Sequence, residues 1–457
     1  MRRTLIAVAS VALVVGLSGC GVAGDAVPAA AGAPGPEAHA DAPGVTTITF
    51  WHGLGATNGQ AIEKLIADFN AQNQGKIEVT SSYQGTYADL LAKYTAGLRD
   101  NSTPTVLLAG DIASGYLHDV QRSVSPADMA TANPDGLDLS QLRSAGQNYY
   151  SADGQLMAVP MNMSTPALWV NTDLLKAAGI DPDKDLATIQ DVAAAAKKIT
   201  AATGKPGLVQ PFDDWWFEQL TAASGSVYCS PDNGRTGDGA QSVTLTDPTQ
   251  VASFRAIADV YTSGAGLDAG TDGNAALTAF DAGQVAMMFN SSGAAGAIDA
   301  AKPTFAYQAL DYPRAGDAGS SGPVIGGSAM WLSSTATDAQ KVAGWKLISF
   351  LASASSQESF SEATGYVPVN TGVDELAERK AYLAQHPNAA VFVRQIDDTP
   401  AVPATAGCLS GAMTAVRAAV VPQMQAAFSG TTSLDDALSA AQDAADKAIA
   451  QYREQRG

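Results

Sequence analysis

The chain has 457 residues, with 26 Lys and Arg against 45 Asp and Glu, for a formal charge of −19. Such a balance repels phosphate backbones and excludes nucleic acid as a partner, so any anionic ligand must be captured by local donors working against the overall field. A chain of this length, 46% apolar, exceeds what one compact core accommodates and fits two lobes with a cleft between them.

Taken in chain order, the first segment gives an address. Arg2 and Arg3 precede an apolar run from Leu5 to Leu17, short of the roughly 20 residues a membrane span needs. Leu17-Ser18-Gly19-Cys20 then sets small residues before a cysteine. This arrangement resembles the lipobox of bacterial lipoproteins. It implies that residues 1–20 are a signal peptide and that Cys20 becomes the lipidated first residue of the mature chain. The protein is then extracytoplasmic, anchored to the outer face of the bacterial cell membrane; an ordinary cleaved signal with an incidental cysteine is the alternative. Residues 21–44, mostly Ala, Gly and Pro, bury too little apolar surface to offset the entropy of ordering and read as a flexible tether. With Cys20 assigned to lipid, Cys229 and Cys408 are left as one possible disulfide in an oxidising compartment, two buried thiols being the alternative.

Val45 to Trp51 alternates as a strand does, and Ile62, Leu65, Ile66 and Phe69 recur at helical spacing. Ile77 to Ser82 is a second strand, Tyr87, Leu90, Leu91 and Tyr94 mark a second helix, and Thr105 to Ala109 is a third strand. This β-α-β-α-β order predicts an α/β fold with a mostly parallel sheet whose ligands lie beyond the carboxyl ends of the strands. Asp111 falls at such an end, with a helix N-cap as its plainer role. Gln155 to Val170 is extended and broken by Pro160 and Pro166, which suits a crossover between lobes. Pro211 to Phe217 reads as an aromatic loop carrying Phe212, Trp215 and Trp216. Asn290-Ser291-Ser292-Gly293 caps a helix, Ala329 to Leu332 is a strand, and Gln340 to Ser353 is an amphipathic helix. Thr364 to Pro368 is a turn, and the chain from Glu375 onward is largely helical.

Catalytic patterns are missing. Four histidines, His39, His52, His118 and His386, stand in no ligand spacing, so no metal site is expected. No Gly-rich phosphate loop precedes a lysine, no Gly-x-Ser-x-Gly elbow occurs, and nothing marks out two carboxylates as a hydrolytic pair. The chain reads as a binder with no cofactor and not as an enzyme; a secreted carbohydrate hydrolase is the rival from another class.

Six short motifs in order carry a wider likeness: Ile48-Thr49-Phe50-Trp51-His52, Tyr83-Gln84-Gly85-Thr86-Tyr87, Asn162-Met163-Ser164-Thr165-Pro166, Ser291-Ser292-Gly293, Gly326-Gly327-Ser328 and Thr364-Gly365-Tyr366-Val367-Pro368. Together they resemble the extracytoplasmic solute-binding proteins of bacterial ABC importers, in the branch that includes maltose-binding and glycerol-3-phosphate-binding proteins. The resemblance implies two α/β lobes hinged over a small polar solute (lobe I about 45–160 plus 295–350, lobe II about 161–294 plus 351–457). It also implies a monomer that hands the solute to membrane permease subunits. The solute it suggests is glycerol 3-phosphate or a glycerophosphodiester, with a mono- or oligosaccharide as the alternative. Carried over by motif, Tyr87, Asp111, Ser164, Trp215, Ser291, Gly327 and Tyr366 line the cleft. Asp111 accepts hydroxyl hydrogen bonds, Trp215 offers an apolar face, and the Gly327 N–H approaches the ligand without a Cβ in the way. Two departures stand out. Phe212 takes the place of a second tryptophan. Leu409, in Gly407-Cys408-Leu409-Ser410-Gly411, takes that of a phosphate-gripping arginine, so that Arg394 or Arg417 must reach in or the ligand must be less anionic.

Overall fold

The computed structural model describes residues 33–316, 319 and 321–456. The expected signal peptide, Cys20 and residues 21–32 lie outside the described residues. The expected tether does not run free to residue 44. Ala33 packs against the core, the Pro34 carbonyl accepts from Asn133 Nδ2 at 3.0 Å, and the short helix Glu37–Ala40 packs on helix Asp338–Leu351. A composition that forms no core of its own still docks where a neighbouring surface supplies partners.

Ten strands form two five-stranded sheets. In chain order they are β1 (Thr46–His52), β2 (Ile77–Tyr83), β3 (Val106–Gly110), β4 (Val159–Ser164), β5 (Pro166–Asn171), β6 (Leu208–Val209), β7 (Gly266–Leu267), β8 (Met287–Ser291), β9 (Tyr307–Asp311) and β10 (Gly326–Leu332). The first sheet runs β2-β1-β3-β10-β4 and the second β7-β6-β8-β5-β9. In β1, Ile48 and Phe50 are buried while Thr47 and Thr49 are exposed, the period of two that the sequence shows. Helix Ala56–Gln72, which follows, buries Ile62, Leu65, Ile66 and Phe69, the four residues at its helical spacing. Capping boxes start helices Tyr87–Gly97, Ile189–Thr203 and Asp338–Leu351, at Thr86/Asp89, Thr188/Asp191 and Thr337/Gln340.

Each sheet joins a parallel half to an antiparallel half. β2-β1-β3 is parallel, whereas β10 runs against both β3 and β4; likewise β7-β6-β8 is parallel and β5 runs against both β8 and β9. The expectation of a mostly parallel sheet therefore holds only for the β-α-β portions. The reversed strands are those that carry the chain from one sheet to the other.

The first crossing is at Thr165, between Pro160 and Pro166, where β4 of one sheet ends and β5 of the other begins. A second passes from β9 to β10. This membership moves two expected lobe boundaries. Tyr307–Asp311 pairs with β5 and so lies in the second sheet, although it falls within 295–350. Helix Ala354–Thr364 packs on helix Ala56–Gln72, and Phe360, Val367 and Val369 join the first core, although they fall within 351–457. β5 is buried throughout: Leu168 and Val170 enter the core shared with the C-terminal helices, while Ala167 and Trp169 face the other core, as alternation requires.

The aromatic segment is not a loop. Helix Asp214–Ala223 begins inside it, with Asp213 as N-cap accepting from Trp215 N at 3.0 Å. Cys229 and Cys408 are joined as a disulfide, with Cα atoms 5.5 Å apart. Beside it Arg235 is buried and donates to the carbonyls of Tyr149, Ser151, Ala406 and Gly407. Among the described residues no helix is long and apolar enough to cross a membrane, and no group of three or more His, Cys, Asp or Glu is placed to hold a metal ion.

Candidate functional site

Side chains from both sheets meet at the ends of β3, β4, β8 and β10. Asp111 is the residue after β3, at a carboxyl end of the first sheet, and its Oδ1 accepts from Ile112 N at 2.7 Å. Gly326 opens β10 beside it. A Cβ on Gly326 would stand 2.9 Å from Ser164 Oγ, 3.3 Å from Trp215 Cζ2 and 3.4 Å from Asp111 Oδ2, so these three groups converge on one point. Trp215 comes from the second lobe and the other two from the first.

Ser291, at the end of β8, accepts from Gly293 N at 3.1 Å, which bends this turn toward Tyr366. A Cβ on Gly293 would lie 3.5 Å from Tyr366 Cζ. Tyr87, the first residue of its helix, packs its ring on Gly53 and Gly110.

The electrostatics follow from burial. The Asp111 carboxyl is pushed above the usual carboxylate range, chiefly because it is buried; the Arg417 charge and the N–H groups of Ile112 and Gly327 act the other way. Asp213 is raised for the same reason, again opposed by Arg417. Tyr366 is pushed up to about 12 by burial and by Asp111, and Tyr87 and Tyr150 are raised further, also chiefly by burial.

Four buried donors in this region, Tyr87 OH, Tyr150 OH, Asn162 Nδ2 and Trp215 Nε1, make no well-formed hydrogen bond among the described residues, although the Tyr87 hydroxyl lies beside Ser328 and Asn162. Leaving a buried donor unmade costs about 1–3 kcal/mol.

Of the residues singled out by motif, the structure gathers Tyr87, Asp111, Ser164, Trp215, Ser291, Gly327 and Tyr366 around this point. It places Phe212 elsewhere. That ring lies in the core of the second lobe, 4.9 Å from Tyr261 and 5.3 Å from Phe428 between centroids, because the chain turns inward just before the helix that buries Trp216.

Gly327 is in the region, but for a different reason. Its φ is +130°, and a Cβ would stand 2.1 Å from the Asn162 carbonyl oxygen, so glycine is required by the chain's own backbone. Its N–H faces Asp111. His52 is likewise held within the protein, with Nε2 at 2.9 Å from Glu63.

The two arginines named as substitutes part ways. Arg394 sits at the surface and donates to Asp311 at 3.0 Å. Arg417 donates to Glu218 at 2.9 Å and lines an open hollow of about 520 Å³ with Asp213, Trp215, Ala418, Val421 and Pro422. Leu409 is buried, its N–H donating to Asn233 O at 2.8 Å.

Asn162 and Tyr150 were missed as site residues. Asn162 is two residues before Ser164 on one strand, hence on its face, and that spacing was legible. Tyr150 ends a helix far away in sequence, with no local signal.

Comparison with known proteins agrees with this architecture. The sn-glycerol-3-phosphate-binding periplasmic protein UgpB of Escherichia coli K12 is 27% identical over 406 residues, covering 88% of this chain and 92% of that one. Among solved structures, UgpB from Mycobacterium tuberculosis in complex with glycerophosphocholine aligns with a TM-score of 0.74 at 20% identity, covering 89% of this chain and 98% of the other. The sugar-binding protein MalE from Xanthomonas citri aligns with a TM-score of 0.74 at 18% identity, covering 90% and 99%. The fold is thus the two-lobed α/β fold of periplasmic solute-binding proteins. Residues 64–390 match the model of the bacterial extracellular solute-binding proteins, and the chain belongs to that family.

Proposed function

We propose that this protein captures a small phosphodiester of glycerol between its lobes and delivers it to the membrane permease of an ABC importer, held near that permease by a lipid on Cys20. The observation that supports the reading is the set of buried donors without a well-formed hydrogen bond in the region of Asp111. Donors in number ask for a ligand rich in acceptor oxygens, and one carboxylate among them asks for hydroxyls to accept from.

Charge chooses among the oxygen-rich ligands. Around the site stand Asp111, Asp213 and Glu218 against Arg235 and Arg417, three acids to two bases. Arg417 is already engaged by Glu218. A dianionic monoester such as glycerol 3-phosphate meets a net negative surround, whereas a diester carries one charge less, and a cationic head group would be welcome there. The UgpB relatives, one of them seen with glycerophosphocholine, support this class of solute.

A neutral carbohydrate is the second reading. Leu409, buried where the phosphate-gripping arginine is expected, favours it. Proposed ligand contacts in either case are Tyr87, Asp111, Ser164, Trp215, Ser291 and Tyr366; Phe212, in the core, is not among them.

Calorimetric titration with glycerophosphocholine, glycerol 3-phosphate and a panel of mono- and disaccharides tests the proposal. Glycerophosphocholine should bind more tightly than the monoester and be recovered unchanged. Binding of sugars alone would replace the ligand, and turnover of any of them would end the receptor reading.

A further inference from the structure

Asn162 sits on β4 with its side chain buried, directly across from Ser328 in the register of β4 and β10. The ladder is irregular here. A shift between Ser328 and Ala329, together with the positive φ of Gly327, lays the β10 backbone on the Asn162 carbonyl and brings Ser328 against the Asn162 amide. Ser328 Oγ donates to Asn162 Oδ1. One end of the amide is thereby used, and the other is aimed. Nδ2 is buried and makes no well-formed hydrogen bond among the described residues, the same condition as Tyr87 OH beside it and Trp215 Nε1 on the second lobe. The Asn162 amide is near enough to the hydroxyls of Tyr87 and Tyr366 to act on both phenols.

We infer that Asn162 donates from Nδ2 to an acceptor oxygen of the bound solute, and that Ser328 is the positioning residue that fixes which end of the amide faces it. The inference rests on the proposed reading of the cleft as the solute site. It adds the chemical class of atom required at this point: a phosphoryl, carbonyl or hydroxyl oxygen, and neither a C–H group nor an ammonium. An amide free to rotate would offer donor and acceptor alike. With Oδ1 taken by the Ser328 hydroxyl, it presents a donor.

The test is a double-mutant cycle read by calorimetry with glycerophosphocholine, or with the sugar that binds if that one does not. Asn162→Leu should weaken binding about tenfold or more, the size of one lost hydrogen bond with its partner left buried. Ser328→Ala should cost about three- to tenfold in the presence of Asn162 and less than twofold in the Asn162→Leu background. A merely structural serine would act equally in both backgrounds. Should the Asn162→Leu protein not fold, Asn162→Asp keeps the shape and the bond from Ser328 while turning the donor into an acceptor, and carries the same expected loss.

Affinity within twofold of wild type in either Asn162 variant, or an undiminished effect of Ser328→Ala in the double variant, overturns the inference and leaves the receptor reading standing. Wild-type protein that binds none of these solutes overturns both.

Discussion

Asp111 joins stability to the proposed binding in a single residue. Its carboxyl is raised by burial, so the folded protein holds that proton to higher pH than the unfolded chain does. Ionising it costs stability: the cost is absent below the ordinary carboxylate range and fully present above the raised value. At pH 7 Asp111→Asn should therefore raise the melting temperature of the unliganded protein, measurable by differential scanning calorimetry, while weakening solute binding. A solute whose hydroxyls donate to the ionised carboxylate pulls its proton affinity back down. Affinity should accordingly rise with pH through the window above the ordinary carboxylate range, and Asp111→Asn should flatten that profile. Trp215 works by surface instead of charge. Its half-buried ring reaches from the second lobe to Gly326 of the first. Truncation in Trp215→Ala is expected to cost about 2 kcal/mol of binding, the range of an aromatic anchor; unchanged affinity would remove it from the site.

Among elements, the segment from residue 403 to 411 is tied to the rest of the protein at several points. Cys408 joins it to Cys229, Asn233 Nδ2 donates to the Pro403 carbonyl at 2.7 Å, and Arg235 binds two of its carbonyls while binding those of Tyr149 and Ser151. Gly115, just beyond Asp111, lies so close that a Cβ there would stand 2.2 Å from the Ser410 carbonyl carbon. The segment thus presses on the helix that starts at the site. Replacing Arg235 by Met leaves buried carbonyls without a donor and should lower the unfolding free energy by about 3–5 kcal/mol in denaturant titration. Reducing the disulfide releases a sequence separation of 179 residues. The chain-entropy model puts the upper limit of that loss at about 5 kcal/mol. Reduced protein that melts at the same temperature as oxidised protein would show the bond to be idle.

At the scale of the whole molecule, the two lobes touch away from the proposed solute cleft as well as within it. Asp119, on the helix after Asp111, accepts from Tyr452 OH at 2.9 Å and pairs with Arg456 at 2.7 Å, both on the C-terminal helix that packs into the second core. Arg456 is half-exposed, so screening keeps the pair at about 1 kcal/mol or less. Such a contact ties the first lobe to the C-terminal helix. Arg456→Ala is expected to enlarge the radius of gyration of the unliganded protein in small-angle scattering and to weaken solute binding by no more than about fivefold. Identical scattering curves would show that this contact does not bear on closure.

Local order determined much of this protein. Period-two alternation in β1, helical spacing from Ile62 to Phe69, three capping boxes and the prolines flanking Thr165 are short-range facts, and each produced the element or crossing that its pattern implies. Family motifs also named residues that the structure brings near Gly326, because those motifs sit at strand ends or turns. Tertiary structure alone decided the direction of the returning strands, the sheet to which Tyr307–Asp311 belongs and the burial of Phe212. It alone decided that Arg417, and not Arg394, stands near Asp111. These are contacts between residues far apart in the chain, and no local pattern encodes a distance across a cleft. The Gly327 requirement is of the same kind: the atom that forbids a Cβ there belongs to Asn162, a strand away.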